Sequence, residues 1–117
     1  MVCRWFRLQH PKFNGHLFAI PKGSHLAGDA KVRAIKMHKM KEEGFVPGVA
    51  DLFLMVPIGG WHGLFIEMKK SKGVQSDVSD VQREFLGRAN LIGYRAEVCF
   101  GFDQARVVID DYLRGVA

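Results

Sequence analysis

The chain has 117 residues, 48% hydrophobic and 25% charged, with a net charge of +5 at neutral pH. That length suits one domain over residues 1–117, able to bury roughly two-thirds of the surface its unfolded chain exposes. No apolar run approaches the ~20 residues that cross a bilayer, no signal-peptide core opens the chain, and Cys3 and Cys99 are too few for a disulfide framework or a zinc site.

The charge is unevenly placed. Residues 1–50 carry nine Lys/Arg against three Asp/Glu, and residues 51–117 carry eight against nine. A basic first half suits a polyanion bound through phosphate contacts, although a solvated lysine-rich surface has the same composition.

In chain order, Met1–Leu8 reads as the tail of a helix halted before Pro11. His16–Pro21 reads as a strand stopped by proline, an edge or strand-end position. Pro21-Lys22-Gly23-Ser24 makes a turn. From Leu26 to Glu43 the composition is helical, with Gly44 as the terminator. Lys31, Arg33, Lys36, Lys39 and Lys41 spread around that helix, and Ala27, Ala30, Ala34 and Met37 form a small-residue packing ridge. Phosphate contact and simple solubilisation both account for such a helix.

Two apolar runs follow, Leu52–Val56 and Leu64–Ile66, separated by the Gly-rich turn Pro57–Gly63. They read as a β-hairpin. Asp51 opens the first strand, and Glu67 and Lys69 close the second. Alternation puts Glu67 and Lys69 on one face and Leu64, Ile66 and Met68 on the other. Two carboxylates and a lysine at neighbouring strand ends suit a divalent ion, because a buried carboxylate is costly without a cation or hydrogen bonds. A surface hairpin with a solvated Glu–Lys pair uses the same residues.

Lys70–Asp77 is a polar loop, and Ser79-x-x-Gln82 fits a capping box at the start of a helix. On the helical wheel Val78, Val81, Phe85, Leu86, Ala89 and Ile92 share one arc, and Gln82 falls inside it. A glutamine there faces the sheet and needs partners, unless its side chain only folds back to the Ser79 amide. Gly93 ends this helix. Tyr94–Phe100 alternates as a strand, with Tyr94, Ala96, Val98 and Phe100 on one face. Ala105, Val108, Ile109, Tyr112 and Leu113 then mark a last amphipathic helix. The five histidines (His10, His16, His25, His38 and His62) lack metal-site spacing. Without a Walker loop or a G-x-S-x-G elbow, neither a nucleotide cofactor nor serine-hydrolase chemistry is expected.

The ordered set Gly44-x-x-Pro47-Gly48-x-x-Asp51, Gly63-Leu64-Phe65-Ile66-Glu67-Met68-Lys69, Ser79-x-x-Gln82 and Gly93-Tyr94 resembles the virus-type replication-repair nuclease (VRR-NUC) family of the PD-(D/E)xK superfamily. The resemblance runs from about Phe18 to Leu113. It implies an α/β, restriction-endonuclease-like core with a mixed central sheet of about four strands flanked by helices. It also implies a metal-dependent, structure-specific DNA endonuclease, with four-way (Holliday) junctions or related branched DNA as substrate. In the family's pattern Asp51, Glu67, Lys69 and Gln82 are catalytic. Asp51, Glu67 and the Met68 carbonyl hold Mg²⁺ or Mn²⁺.

Phosphate contacts are expected from Lys22, Lys31, Arg33, Lys36, Lys39, Lys70 and Lys72. A homodimer is expected, since a symmetric junction needs two cuts, with contacts from the basic helix and an exposed Trp5 and Phe6. A phage or prophage origin and action in the bacterial cytoplasm follow from the same resemblance. The chain departs from the pattern twice. The family's acidic residue upstream of the tryptophan matched by Trp5 has no counterpart, and Lys22 stands where an asparagine is usual. The alternative reading is a non-catalytic nucleic-acid-binding module that uses the basic N-terminal half.

Overall fold

The computed structural model describes residues 1–21 and 27–115. Lys22, His25 and the expected helix start at Leu26 lie outside the described residues. Eight elements follow in order: α1 (Val2–Gln9), β1 (Leu17–Ala19), α2 (Ala30–Glu42), β2 (Leu52–Leu54), β3 (Leu64–Lys69), α3 (Asp80–Leu91), β4 (Arg95–Phe100) and α4 (Phe102–Leu113). The strands lie in the order β1-β2-β3-β4, the first two pairings antiparallel and β3–β4 parallel. This is the mixed four-stranded α/β sheet expected from the sequence.

The hairpin closes as its composition dictates. Ile58 and Trp61 exchange backbone hydrogen bonds of 3.1 and 3.0 Å around Gly59-Gly60, a pair suited to a tight hairpin turn. The register aligns Leu17, Leu54 and Leu64 across three strands, and Phe18, Phe53 and Phe65 in the next row. Adjacent rows point to opposite faces. The leucine row, with Leu52 and Ile66, packs under α1 and α4, where Phe6, Ala105, Ile109 and Tyr112 are buried. Each fully buried leucine, isoleucine or phenylalanine there contributes roughly 1.5–3 kcal/mol. The Tyr112 hydroxyl donates to the Val56 carbonyl at 2.6 Å, so its one polar atom is satisfied. The phenylalanine row faces α3, where Phe65 meets Phe85 edge-on at 5.2 Å.

Several expectations need correction. Phe6 is 1% exposed, because Val2 and Phe6 stand one helical turn apart and dock together on the core. Trp5 is half-buried, packed edge-on against Phe102 at 6.0 Å. Neither forms an exposed aromatic patch. Among the described residues, α2 begins at Ala30 rather than Leu26, because the Asp29 side chain accepts the Val32 amide and caps it. The proposed packing ridge packs poorly: no α2 residue is buried, and Ala30 and Ala34 are exposed.

On β4 the apolar alternation pointed to one face, yet the most buried residue is Cys99 of the other, at 0% exposure. Helices α3 and α4 both pack on β4, so both of its faces are covered, as a parallel strand requires. The expected arc of α3 is covered only in part. Leu86 and Ala89 are buried, but Val81 is 44% and Ile92 68% exposed. Gly93 terminates α3 with φ +100°, and the Tyr94 amide reaches back to the Ala89 carbonyl at 3.0 Å, the Schellman pattern expected of glycine there.

Candidate active site

Three segments meet at the C-terminal end of β3. The first is the loop ending in Asp51. Its amide donates to the Ile66 carbonyl at 3.1 Å, its carbonyl accepts the Ile20 amide at 2.8 Å, and its Oδ2 accepts the Met68 amide at 2.8 Å. The carboxylate is thus fixed beside the strand that carries the other site residues.

The second segment is β3 itself. Glu67 is 2% exposed, on the same face as Phe65 and Lys69. Its Oε2 lies 3.9 Å from Lys69 Nζ, and the Lys69 side chain is 18% exposed. On the opposite edge the Lys69 carbonyl accepts the Gly101 amide at 2.9 Å. Successive backbone groups of a strand point to alternate edges, and the N–H and C=O of one residue point the same way. The Met68 carbonyl is therefore directed to the edge where its own amide meets Asp51.

The third segment is the first turn of α3. The Ser79 hydroxyl accepts the Gln82 amide at 3.2 Å, and Gln82 Oε1 accepts the Ser79 amide at 2.9 Å. At its other end Gln82 Nε2 donates to Glu67 Oε2 at 3.2 Å. The carboxamide has one orientation that serves both partners, since only its nitrogen can donate to a carboxylate. Capping and contact with Glu67 are therefore both made by one side chain. With Lys69 and Gln82 facing it, the buried carboxylate has the cation and donor that its desolvation demands.

Gly48 locks the first and third segments together. Its φ is +81°, and a Cβ there would lie 2.3 Å from the Val81 carbonyl oxygen. Only a residue without a side chain lets the Pro47–Ala50 loop rest on the α3 backbone. Gly48 stands in the sequence motif, but spacing alone does not reveal this contact.

The structure brings together Asp51, Glu67, Met68, Lys69 and Gln82. Lys70 and Lys72 follow on the exposed turn after β3. Lys31, Arg33, Lys36 and Lys39 are exposed on α2; Arg33 donates to the Gly28 carbonyl at 3.2 Å and Lys36 to the Ala27 carbonyl at 2.9 Å. Among the described residues the histidines serve elsewhere, His10 against Asp110 and His38 against Glu42. Burial pushes the Cys99 thiol up to about 12, which leaves it a poor nucleophile. No group of three or more His, Cys, Asp or Glu side chains suited to a metal occurs among the described residues. The donor set is instead two carboxylates and a backbone carbonyl. These are hard oxygens, a chemistry that fits Mg²⁺ or Mn²⁺ and does not fit a thiolate-type zinc site.

No protein-family model matches the chain, and no curated protein matches it. Among solved structures, one titled "VRR_NUC domain protein" superposes with a TM-score of 0.78 at 26% identity, covering 97% of this chain and 82% of that one. The mixed sheet, its flanking helices and the acid-lysine strand end define a restriction-endonuclease-like α/β core of the PD-(D/E)xK class. Within that class the chain is similar in fold and sequence to this VRR_NUC domain protein. Among the described residues, no helix is long and apolar enough to cross a membrane.

Proposed function

We infer that this chain is a metal-dependent DNA endonuclease, with the end of β3 as its site of phosphodiester hydrolysis. The observation that carries this reading is the convergence of Asp51, Glu67 and Lys69 on one face at adjoining strand ends. The Glu67 carboxylate is also gripped from α3 by Gln82. Asp51, Glu67 and the Met68 carbonyl would hold Mg²⁺ or Mn²⁺. When bound, such an ion neutralises charge developing on the phosphate and acidifies an attacking water.

The protein's own groups do the rest. Lys69 sits low on the sheet face, where its ammonium orients the attacking water and steadies the phosphoryl oxygens as charge builds. Gln82 fixes the rotamer of Glu67 and, through it, the spacing to Lys69. Phosphate contacts that hold the DNA come from Lys70 and Lys72 beside the site and from Lys31, Arg33, Lys36 and Lys39 on α2, with Lys22 a further candidate.

Branched DNA, a four-way junction above all, is the proposed substrate, and a homodimer would supply one site for each of two symmetric cuts. The basic helix α2 is the better candidate for the dimer contact, since Phe6 is buried. Action in the cytoplasm of a bacterial host, from a phage or prophage source, completes the proposal.

The second reading, a non-catalytic nucleic-acid-binding module, is favoured by one observation: the described site contains only two acidic side chains. A cleavage assay on four-way, flap, linear and single-stranded DNA, with Mg²⁺ or Mn²⁺ titrated in, separates the two. The nuclease reading expects metal-dependent incision near the branch that EDTA stops. Tight binding with no incision at any metal concentration would establish the module instead.

A further inference from the structure

A cavity of about 470 Å³ lies between the far half of α3 and the sheet, lined chiefly by Phe65, Phe85, Arg88, Ile92 and Tyr94. Its position follows from the two elements that build the active site. Phe65 precedes Glu67 by two residues on the same face of β3, which sets it about 7 Å along the strand. Phe85 follows Gln82 by three residues, about 4.5 Å along α3. The cavity therefore opens one side-chain repeat away from the buried carboxylate, on the same face of the sheet.

Its walls are aromatic on three sides. Phe65 and Phe85 meet edge-on at 5.2 Å, and Tyr94 lies 5.5 Å from Phe65. The Arg88 guanidinium stands 5.9 Å from the Phe85 ring and is exposed. Leu91 and Ile92, at the end of α3, are 87% and 68% exposed, far more than an amphipathic helix end that served only the core would leave. From its mouth the floor continues through Phe53, 4.5 Å from Phe65, to Phe18, which is 41% exposed.

We propose that this cavity receives one unstacked nucleobase next to the phosphate at Glu67, with Arg88 contacting the backbone of the same nucleotide. The proposal rests on the nuclease reading for the place of that phosphate. A strand anchored at Glu67 carries its neighbouring nucleotide within reach of Phe65. A base held in a continuous duplex is already stacked on both faces and cannot enter, whereas a base freed at a branch, flap or gap can. With Arg88 turned to the backbone, walls that are chiefly aromatic and aliphatic offer faces and few donors or acceptors to a base, so all four bases are admitted, purines somewhat better. The cavity thus selects for local strand geometry and not for sequence, the property a structure-specific enzyme needs.

The test uses branched DNA carrying 2-aminopurine, or an abasic site, at single positions flanking the branch, with binding measured in EDTA so that cleavage plays no part. At one position the abasic site should weaken binding about tenfold, and 2-aminopurine fluorescence should be quenched on binding. Phe65→Leu, which keeps an apolar side chain but removes the ring, should abolish both effects. Arg88→Ala and Ile92→Ser, at exposed positions that leave the core intact, should each reduce them.

Quenching in a protein that never cleaves would uphold the cavity and refute the nuclease. Normal cleavage with no quenching and no abasic penalty at any position would overturn the cavity and leave the nuclease standing. If Ile92→Ser converted a dimer to a monomer and Phe65→Leu left both effects intact, the cavity would belong to a protein interface and the proposal would fall.

Discussion

On one face of the sheet Leu54, Leu64 and Ile66 are sealed beneath α1 and α4, each at 0% exposure. On the other, Phe18, Phe53 and Phe65 form a row beneath α3 that stays open at Phe18 and lies beside a buried carboxylate and a lysine. The two faces come from the same residues in alternation, so one strand, β3, supplies both. Ile66 and Glu67 are neighbours in sequence, yet one stabilises the fold and the other spends stability on burying a charge. The comparison teaches that the site is set on the most secure strand of the sheet by a single switch of face, so side chains can be altered on one side without disturbing the other.

The largest effects should fall on the open face. Asp51→Ala and Lys69→Ala should each lower single-turnover cleavage by about 10³-fold or more. Melting should fall modestly, since Asp51→Ala frees the Met68 amide and Lys69→Ala leaves the buried Glu67 carboxylate without its cation, but both variants should remain folded. A variant that lost its activity only through unfolding, seen by circular dichroism, would blur the division between the faces.

Next comes the closed face. Ile109→Ala removes a fully buried side chain and should cost about 2–5 kcal/mol in urea unfolding, with the cleavage rate per folded molecule unchanged. A loss of rate in the folded fraction would show that the faces are coupled through β3.

Gln82 sharpens the comparison because it serves fold and site at once. Gln82→Ala should lower cleavage by ~10²-fold or less and stability by ~1 kcal/mol, as both ends of the carboxamide are lost. Gln82→Glu keeps a side-chain acceptor for the Ser79 amide but sets a carboxylate against Glu67, so it should retain most of the capping stability and lose the rate. A wild-type rate in Gln82→Glu would reduce Gln82 to a cap.

How much of this was legible beforehand divides along the same line. The hairpin, its Gly59-Gly60 turn, the helix end at Gly93 and the pairing of Glu67 with Lys69 on one face follow from alternation and turn chemistry, which are local. The wheel also turned Gln82 toward the sheet. It could not show that one carboxamide spans both Ser79 and Glu67, because that depends on how closely α3 approaches β3. Gly48 sets that approach through a backbone contact with Val81, and no periodicity carries it. Val81 and Ile92 share the apolar arc by angle, yet both lie largely outside the core, since angle says nothing of where the covering sheet ends. The isolation of α2 is likewise hidden: its alanines suggest packing, but among the described residues none of α2 is buried.

The smallest effect concerns pH and belongs to the closed face. Burial raises the pKa of the Cys99 thiol from 9.0 to about 12, and that of Tyr112 in the same direction. Both groups are neutral when protonated, so the folded chain keeps protons that the unfolded chain releases at high pH. Their contribution is complete below about pH 9 and is lost as pH rises toward about 12. Urea midpoints measured from pH 7 to 11 should be level at first and then fall, and Cys99→Ala should fall less steeply.

The central claim is that Glu67 is buried for chemistry and not for stability, and Glu67→Gln tests it most directly. The substitution keeps the shape of the side chain while removing its charge. Cleavage of branched DNA by wild type and variant should be followed across a Mg²⁺ titration, beside thermal melting of both. The account predicts no detectable cleavage by the variant at any metal concentration and a melting temperature equal to or above that of the wild type. A variant that cleaves at the wild-type rate, or one that melts many degrees lower, would contradict it.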